Sequence, residues 1–123
     1  MDKRLAMGMD INATRALDIW RGAIVKSVRN DGPDLTARQM AVLTTVYLTP
    51  SPHTVRGLAG QLNIAKPAVT RALDRLSDLG LVRRKRDDHD RRSVLAQRTV
   101  KGSVFLSEFG ELVAQSFKET DAA

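Results

Sequence analysis

Apolar residues recur at helical spacing in five stretches of this chain and alternate like strand residues in two more. The first helix is predicted to begin at Asp10 or Asn12, either of which can cap it. It runs to about Arg29, where Asn30-Asp31-Gly32-Pro33 supplies strong breaker chemistry. Ala13, Leu17, Trp20, Ile24 and Val28 make one apolar stripe along it, Ala16, Ile19 and Ala23 make a second, and Val25 lies near it. A helix apolar over so wide an arc needs cover on more than one side, and Trp20 is expected to be a packing anchor. Thr36 opens a second helix with Met40, Leu43, Val46 and Tyr47 inward, and Thr49-Pro50-Ser51-Pro52 ends it. After a short extended piece at His53-Thr54, Thr54 caps a third helix that buries Val55, Leu58, Ala59 and Leu62. Its Gly57 and Gly60 each lower intrinsic helicity by roughly 1 kcal/mol relative to Ala, so packing must hold it.

Asn63-Ile64 forms a tight link into a fourth helix. Here Val69, Ala72, Leu73, Leu76 and Leu79 share one face, and Lys66, Thr70, Arg71, Asp74 and Arg75 the other. Gly80 supplies the left-handed residue that commonly closes a helix. Leu81 to Arg86 begins apolar and turns basic, an Asp-rich tip follows, and Ser93 to Thr99 is a second strand. On that strand Val94 and Ala96 face one way, Leu95 and Gln97 the other. Two short helices joined by a tight turn, the second cationic, form the helix-turn-helix pattern, and the charged hairpin adds a wing. A last helix starts at Thr99 or Ser103 and runs to about Lys118, apolar over a wide arc through Phe105, Leu106, Phe109, Leu112, Val113 and Phe117. One copy of the domain can hardly cover this arc and both stripes of the first helix. The surplus is therefore expected to be a subunit interface carried by Leu17, Trp20, Ile24, Phe105, Phe109, Leu112 and Val113.

Charge changes this picture from a fold to a partner. Residues 66 to 102 hold eleven Lys or Arg and five Asp, a net of +6, and the rest of the chain holds nine of each sign. The whole net charge thus sits on one helix and one hairpin, the footprint of a surface for a double-stranded polyanion. A solvated basic face is the bland alternative, and the complete segregation of charge speaks against it. At 123 residues the chain is expected to be a single domain. It has no cysteine, which excludes disulfides, thiolate metal sites and thiol redox sensing. No signal peptide or membrane span is legible, so a soluble, cytoplasmic protein is expected. The predicted layout is mostly α with a small β-hairpin. Residues 1–10 are a flexible leader, 11–30 and 100–120 dimerisation helices, and 35–99 a DNA-binding winged helix-turn-helix core.

Several short motifs in this order resemble the MarR family of winged helix-turn-helix transcription regulators. They are Leu35, Thr36 and Gln39; Leu58-Ala59; Val69-Thr70-Arg71; Leu73 to Leu76; Gly80 to Val82; Asp90 to Arg92; and Thr99 with Gly102. Each is weak alone; their order and spacing over more than half the chain are fairly specific. The resemblance implies a homodimer whose terminal helices meet, with a recognition helix in the major groove and a wing along the minor groove. It also implies a pairing of Arg92 with Asp74 that ties wing to helix. Many members are similar in releasing DNA when a small aromatic or anionic effector binds; a pocket near Trp20 and the base of the recognition helix is the expected place. Three features depart from the family. Arg98 replaces an apolar residue, Ala65 replaces a polar cap, and the chain stops at Ala123 with little room for a second C-terminal helix.

The residues expected on DNA are Lys66, Thr70, Arg71, Arg75, Arg84, Arg86, Arg91 and Arg92. Arginine suits bidentate contact with guanine and grips phosphate equally well, so Arg71 stays open between the two. Phosphate is favoured for Arg75 because phosphate contacts outnumber base contacts. Thr70 can meet a thymine methyl or a phosphate, or simply be solvated, and Lys66 sits beside free backbone N–H groups. Arg91 is placed for minor-groove insertion, while Asp90 and Arg92 also shape the hairpin. Residues 83 to 86 alternate direction, so about half can face the groove. His89 is expected to be a solvated loop residue, and neither it nor His53 has a partner at metal-ligand spacing. No catalytic constellation appears, and no metal or cofactor is assigned. The expected function is a sequence-specific DNA-binding regulator, a dimeric repressor. The rival is a winged-helix module for protein interaction or nucleoid architecture with little sequence preference.

Overall fold

A computed structural model describes residues 12–122, for 121 and 122 the backbone only. The predicted leader and residue 11 lie outside the described residues. The helices are α1 (Ala13–Arg29), α2 (Ala37–Leu48), α3 (Val55–Leu62), α4 (Lys66–Asp78) and α5 (Val100–Ala122). Strands β1 (Val82–Arg86) and β2 (Val94–Arg98) lie between α4 and α5. The caps explain the boundaries. Asn12 accepts from the Arg15 N–H at 2.8 Å, Thr36 and Gln39 close a reciprocal capping box, and Thr54 accepts from the Gly57 N–H. Asn63, at φ 55°, ends α3 in the left-handed region, and Gly80, at φ 76°, turns the chain from α4 into the wing. Thr99 caps α5, which starts at Val100 and continues past the expected Lys118.

The chain divides into two compact units, with boundaries at Gly32/Pro33 and Ser107/Glu108. In the unit from Pro33 to Ser107, α2, α3 and α4 close over one aliphatic core. Val42, Leu43, Val46, Leu58, Val69, Leu73, Leu76 and Leu81 are almost wholly buried there. Burial of each such side chain stabilises the fold by about 1.5–3 kcal/mol. Phe105 and Leu106, on the first turns of α5, pack partly buried against this core. Apolar packing against the core thus continues past residue 99, and Phe105 is partly covered within one chain. The hairpin is antiparallel, with Val82 opposite Arg98, Arg84 opposite Ala96 and Arg86 opposite Val94. Ala96 is buried, and its N–H donates to the His53 carbonyl at 2.8 Å, beside a bridge between Thr54 and Leu95. The short extended piece before α3 thereby anchors the wing.

Arg98, the oddity of the sequence, has a physical role at the wing's base. Its Nε donates to the Val46 carbonyl and a terminal nitrogen to the Thr49 carbonyl, each at 2.9 Å, and its guanidinium lies 5.9 Å from the Tyr47 ring centroid. It satisfies carbonyls that the C-terminus of α2 leaves free, where a cation is also favoured by the helix dipole. Arg98→Leu is expected to lower stability by about 1–2 kcal/mol, less than a fully buried charged hydrogen bond because the residue is exposed. A urea midpoint equal to that of the parent protein would refute the role.

The other unit pairs α1 with the remainder of α5. Ile19 and Ala23 are buried, and Ser116, also buried, donates from Oγ to the Ile19 carbonyl at 2.7 Å. A Cβ on Gly22 would meet that Oγ at 2.2 Å, so the helices approach closely there. Lys26 Nζ contacts Glu119 at 2.8 Å, and that hydrogen bond holds the Glu119 carboxyl below its ordinary pKa. Of the two stripes on α1, the one with Ile19 and Ala23 faces inward. Leu17 (67% exposed), Trp20 (54%), Ile24 and Val28 remain on the surface.

Candidate nucleic-acid interface

Helix α4 buries Ala68, Val69, Ala72, Leu73 and Leu76 and leaves Lys66, Thr70, Arg71, Asp74 and Arg75 exposed. Its N-cap, Ala65, makes no side-chain hydrogen bond, and Pro67 stands in the first turn. Among the described residues, the side chains of Lys66, Arg71, Arg75 and Arg91 make no hydrogen bond or ion pair. These cations are free for a partner outside the chain.

Most cations of the wing are used inside the chain. Arg83 donates to Gln97 at 3.2 Å, and Lys85 lies 3.9 Å from Asp88. Arg84 makes a 2.5 Å ion pair with Asp74, and Arg86 donates to the Arg91 carbonyl at 2.5 Å. Arg92 contacts Asp90 at 3.4 Å, and Asp90 also accepts from the Arg92 N–H and the Ser93 hydroxyl. The expected Asp74–Arg92 pair is therefore corrected. Asp74 takes Arg84, which β1 brings alongside α4 directly after the turn, and Arg92 turns to its near neighbour. Such exposed pairs contribute about 0–1 kcal/mol, so they set direction more than stability.

Two of the expected DNA contacts thus have partners within the chain: Arg84 pairs with Asp74, and Arg86 orders the backbone at the tip from which Arg91 projects. Arg92, beside Asp90, keeps a side chain 94% exposed. A cleft of about 430 Å³ lies between the start of α3, α4 and the wing, lined by Thr54, Val55, Arg56, Lys66, Thr70, Asp90, Arg92, Ser93 and Val94. Arg56 is a cation that sequence reasoning missed: it lies outside the stretch over which charge was counted, and only folding sets it beside Lys66. His53 is buried, with Nε2 3.1 Å from the Thr49 carbonyl, a structural position. Among the described residues, no cluster of His, Asp or Glu is placed to hold a metal, and no helix is long and apolar enough to cross a membrane.

The MarR family model matches residues 35–94, a span that contains α2 to β1 and the wing tip. The chain is similar to the transcriptional regulator BldR from Sulfolobus solfataricus. Identity is 30% and the TM-score 0.62, over 86% of this chain and 76% of that one. A variant of MarR from E. coli is 26% identical with a TM-score of 0.67, over 89% and 82% of the two chains. The same variant complexed with operator DNA is 26% identical with a TM-score of 0.65, over 86% and 70%.

Proposed function

Because this chain belongs to the MarR family of transcriptional regulators, we propose that it works as a dimeric, sequence-specific repressor on duplex DNA. The observation that carries the proposal is the set of free cations: Lys66, Arg71 and Arg75 on the exposed face of α4, and Arg91 at the wing tip. A helix whose opposite face is locked in a core offers such side chains rigidly, as reading in the major groove requires. Arg91 suits a minor groove, whose negative potential draws an unpaired guanidinium. The similarity to an operator-bound relative supports the same partner. Repression follows if bound protein occludes polymerase.

Dimerisation supplies the cover that α1 lacks. Leu17, Trp20, Ile24 and Val28 expose a continuous apolar stripe, and a second copy buries it, together with Phe109, Leu112 and Val113 of α5. Trp20→Glu is expected to convert the dimer to a monomer in sedimentation at micromolar concentration and to weaken DNA binding. A parent protein already monomeric there refutes the dimer. With two-fold symmetry, half-site centres lie about 10 base pairs apart or a multiple of that.

Footprinting on DNA flanking the protein's own gene, against random duplex as competitor, tests the regulator reading. A specificity ratio of roughly 10³ or more is expected. Protection that random duplex removes equally would instead mark an architectural module.

A further inference from the structure

We propose that the cleft between α3, α4 and the wing seats a backbone phosphate of bound DNA, and that Arg56 is the residue that extends the contact surface onto α3. The inference rests on the DNA-binding reading and adds to it a residue and a site. Three cations line the cleft: Arg56, Lys66 and Arg92. Its one carboxylate, Asp90, is occupied by Arg92 and Ser93, so its charge is already answered within the wing. Arg56 and Lys66 are left as two exposed positive charges without a partner among the described residues, lining the same concavity.

Two unanswered like charges in one cleft repel each other, and an anion between them removes the repulsion and gains two charge-assisted hydrogen bonds. Thr70 lines the same cleft, and its hydroxyl can donate to a phosphate oxygen; Thr54, whose oxygen accepts from the Gly57 N–H, keeps its own O–H as a donor. Thr70 lies one residue before Arg71, so a duplex engaged by Arg71 runs beside this cleft. A phosphate contact carries no sequence information, so the cleft's contribution is expected to be the same on every duplex.

Arg56→Gln removes the charge without disturbing a buried contact. It is expected to weaken binding to the cognate duplex and to a mixed-sequence duplex by the same factor, about tenfold at physiological salt. The slope of log affinity against log salt should fall by about 0.9 per subunit, hence by about 2 for a dimer. Arg56→Lys should keep most of the affinity, because phosphate accepts a point charge. A duplex with one neutral methylphosphonate per half-site should lose affinity at a particular position for the parent protein and lose nothing further there for Arg56→Gln. An unchanged salt slope in Arg56→Gln, or a loss confined to the cognate sequence, overturns the assignment. Inorganic phosphate at fixed ionic strength separates a free anion from a DNA phosphate. Displacement of DNA from the parent protein but not from Arg56→Gln would make the cleft a small-anion site and overturn it as well. Failure of the parent protein to bind any duplex would instead refute the DNA-binding function itself.

Discussion

Gly102→Ala is expected to destabilise the winged-helix unit by about 3 kcal/mol, although Ala favours a helix over Gly by about 1 kcal/mol. Gly102 is buried on the first turn of α5, and an added Cβ would lie 2.2 Å from the Leu81 carbonyl oxygen and closer still to the Tyr47 hydroxyl. That hydroxyl donates to the Leu81 carbonyl at 2.6 Å and accepts from the Thr99 N–H at 2.8 Å. The Thr99 hydroxyl in turn donates to the Gly80 carbonyl at 2.7 Å and accepts from the Gly102 N–H at 2.9 Å. An added methyl group would thus intrude where α2, the turn after α4, the end of β2 and the start of α5 meet through one hydrogen-bond network. Overpacking of 1–3 kcal/mol and roughly 1 kcal/mol per lost hydrogen bond outweigh the gain in helix propensity. Combining the change with Tyr47→Phe should recover only part of the loss, because the Leu81 carbonyl is backbone and stays in place. Denaturant unfolding of the single and double variants checks both statements. A Gly102→Ala protein as stable as its parent would show that the junction adjusts freely.

Arg71→Ala and Arg91→Ala are each expected to weaken operator binding by about 1–3 kcal/mol, roughly tenfold to a hundredfold. Their two losses should differ in kind. Arg71 projects from the exposed face of α4, so if it meets guanine its removal relaxes specificity at one position of each half-site. If it grips phosphate, cognate and random duplexes lose equally and the salt slope falls by about 0.9 per subunit. Arg91 stands at the wing tip with its backbone carbonyl held by Arg86, and its loss should matter most where the flanking sequence is A·T-rich and the groove narrow. Affinity and salt slope measured over a range of salt, on operator and random duplex, distinguish these outcomes. Two variants indistinguishable from the parent protein would remove both residues from the interface. Neither side chain has an intramolecular partner to leave orphaned, so the folded state should tolerate both changes.

Arg84 and Arg86 show why a count of cations is not a list of contacts. On the chain they are the same as Arg91, basic residues in an exposed hairpin. Tertiary structure brings Asp74 to one and the Arg91 carbonyl to the other, and both turn inward. A pairing of Asp74 with Arg92 was implied by the family resemblance alone, and Asp74 takes Arg84 instead. That partner was not legible on the chain, because reach depends on how β1 leaves the turn at Gly80. Arg56 failed the other way: it stands apart from the basic stretch in sequence and beside Lys66 in the cleft.

What the sequence determined by itself is what local chemistry controls. Asn12, Thr36 and Thr54 set where helices start, Asn63 and Gly80 set where the chain turns, and apolar spacing decided which face of α4 is buried. The segregated charge, too, is a property of the chain before it folds. Tertiary structure decided what depends on distances between remote segments. It chose which apolar stripe of α1 turns inward, gave Arg98 the carbonyls at the end of α2, and set Phe105 partly buried against the core. It also separated cations answered within the chain from those left for a partner. The physical reason is range: caps and periodicity act over a few residues, whereas an ion pair or a covered face exists only once the packed helices fix who can reach whom.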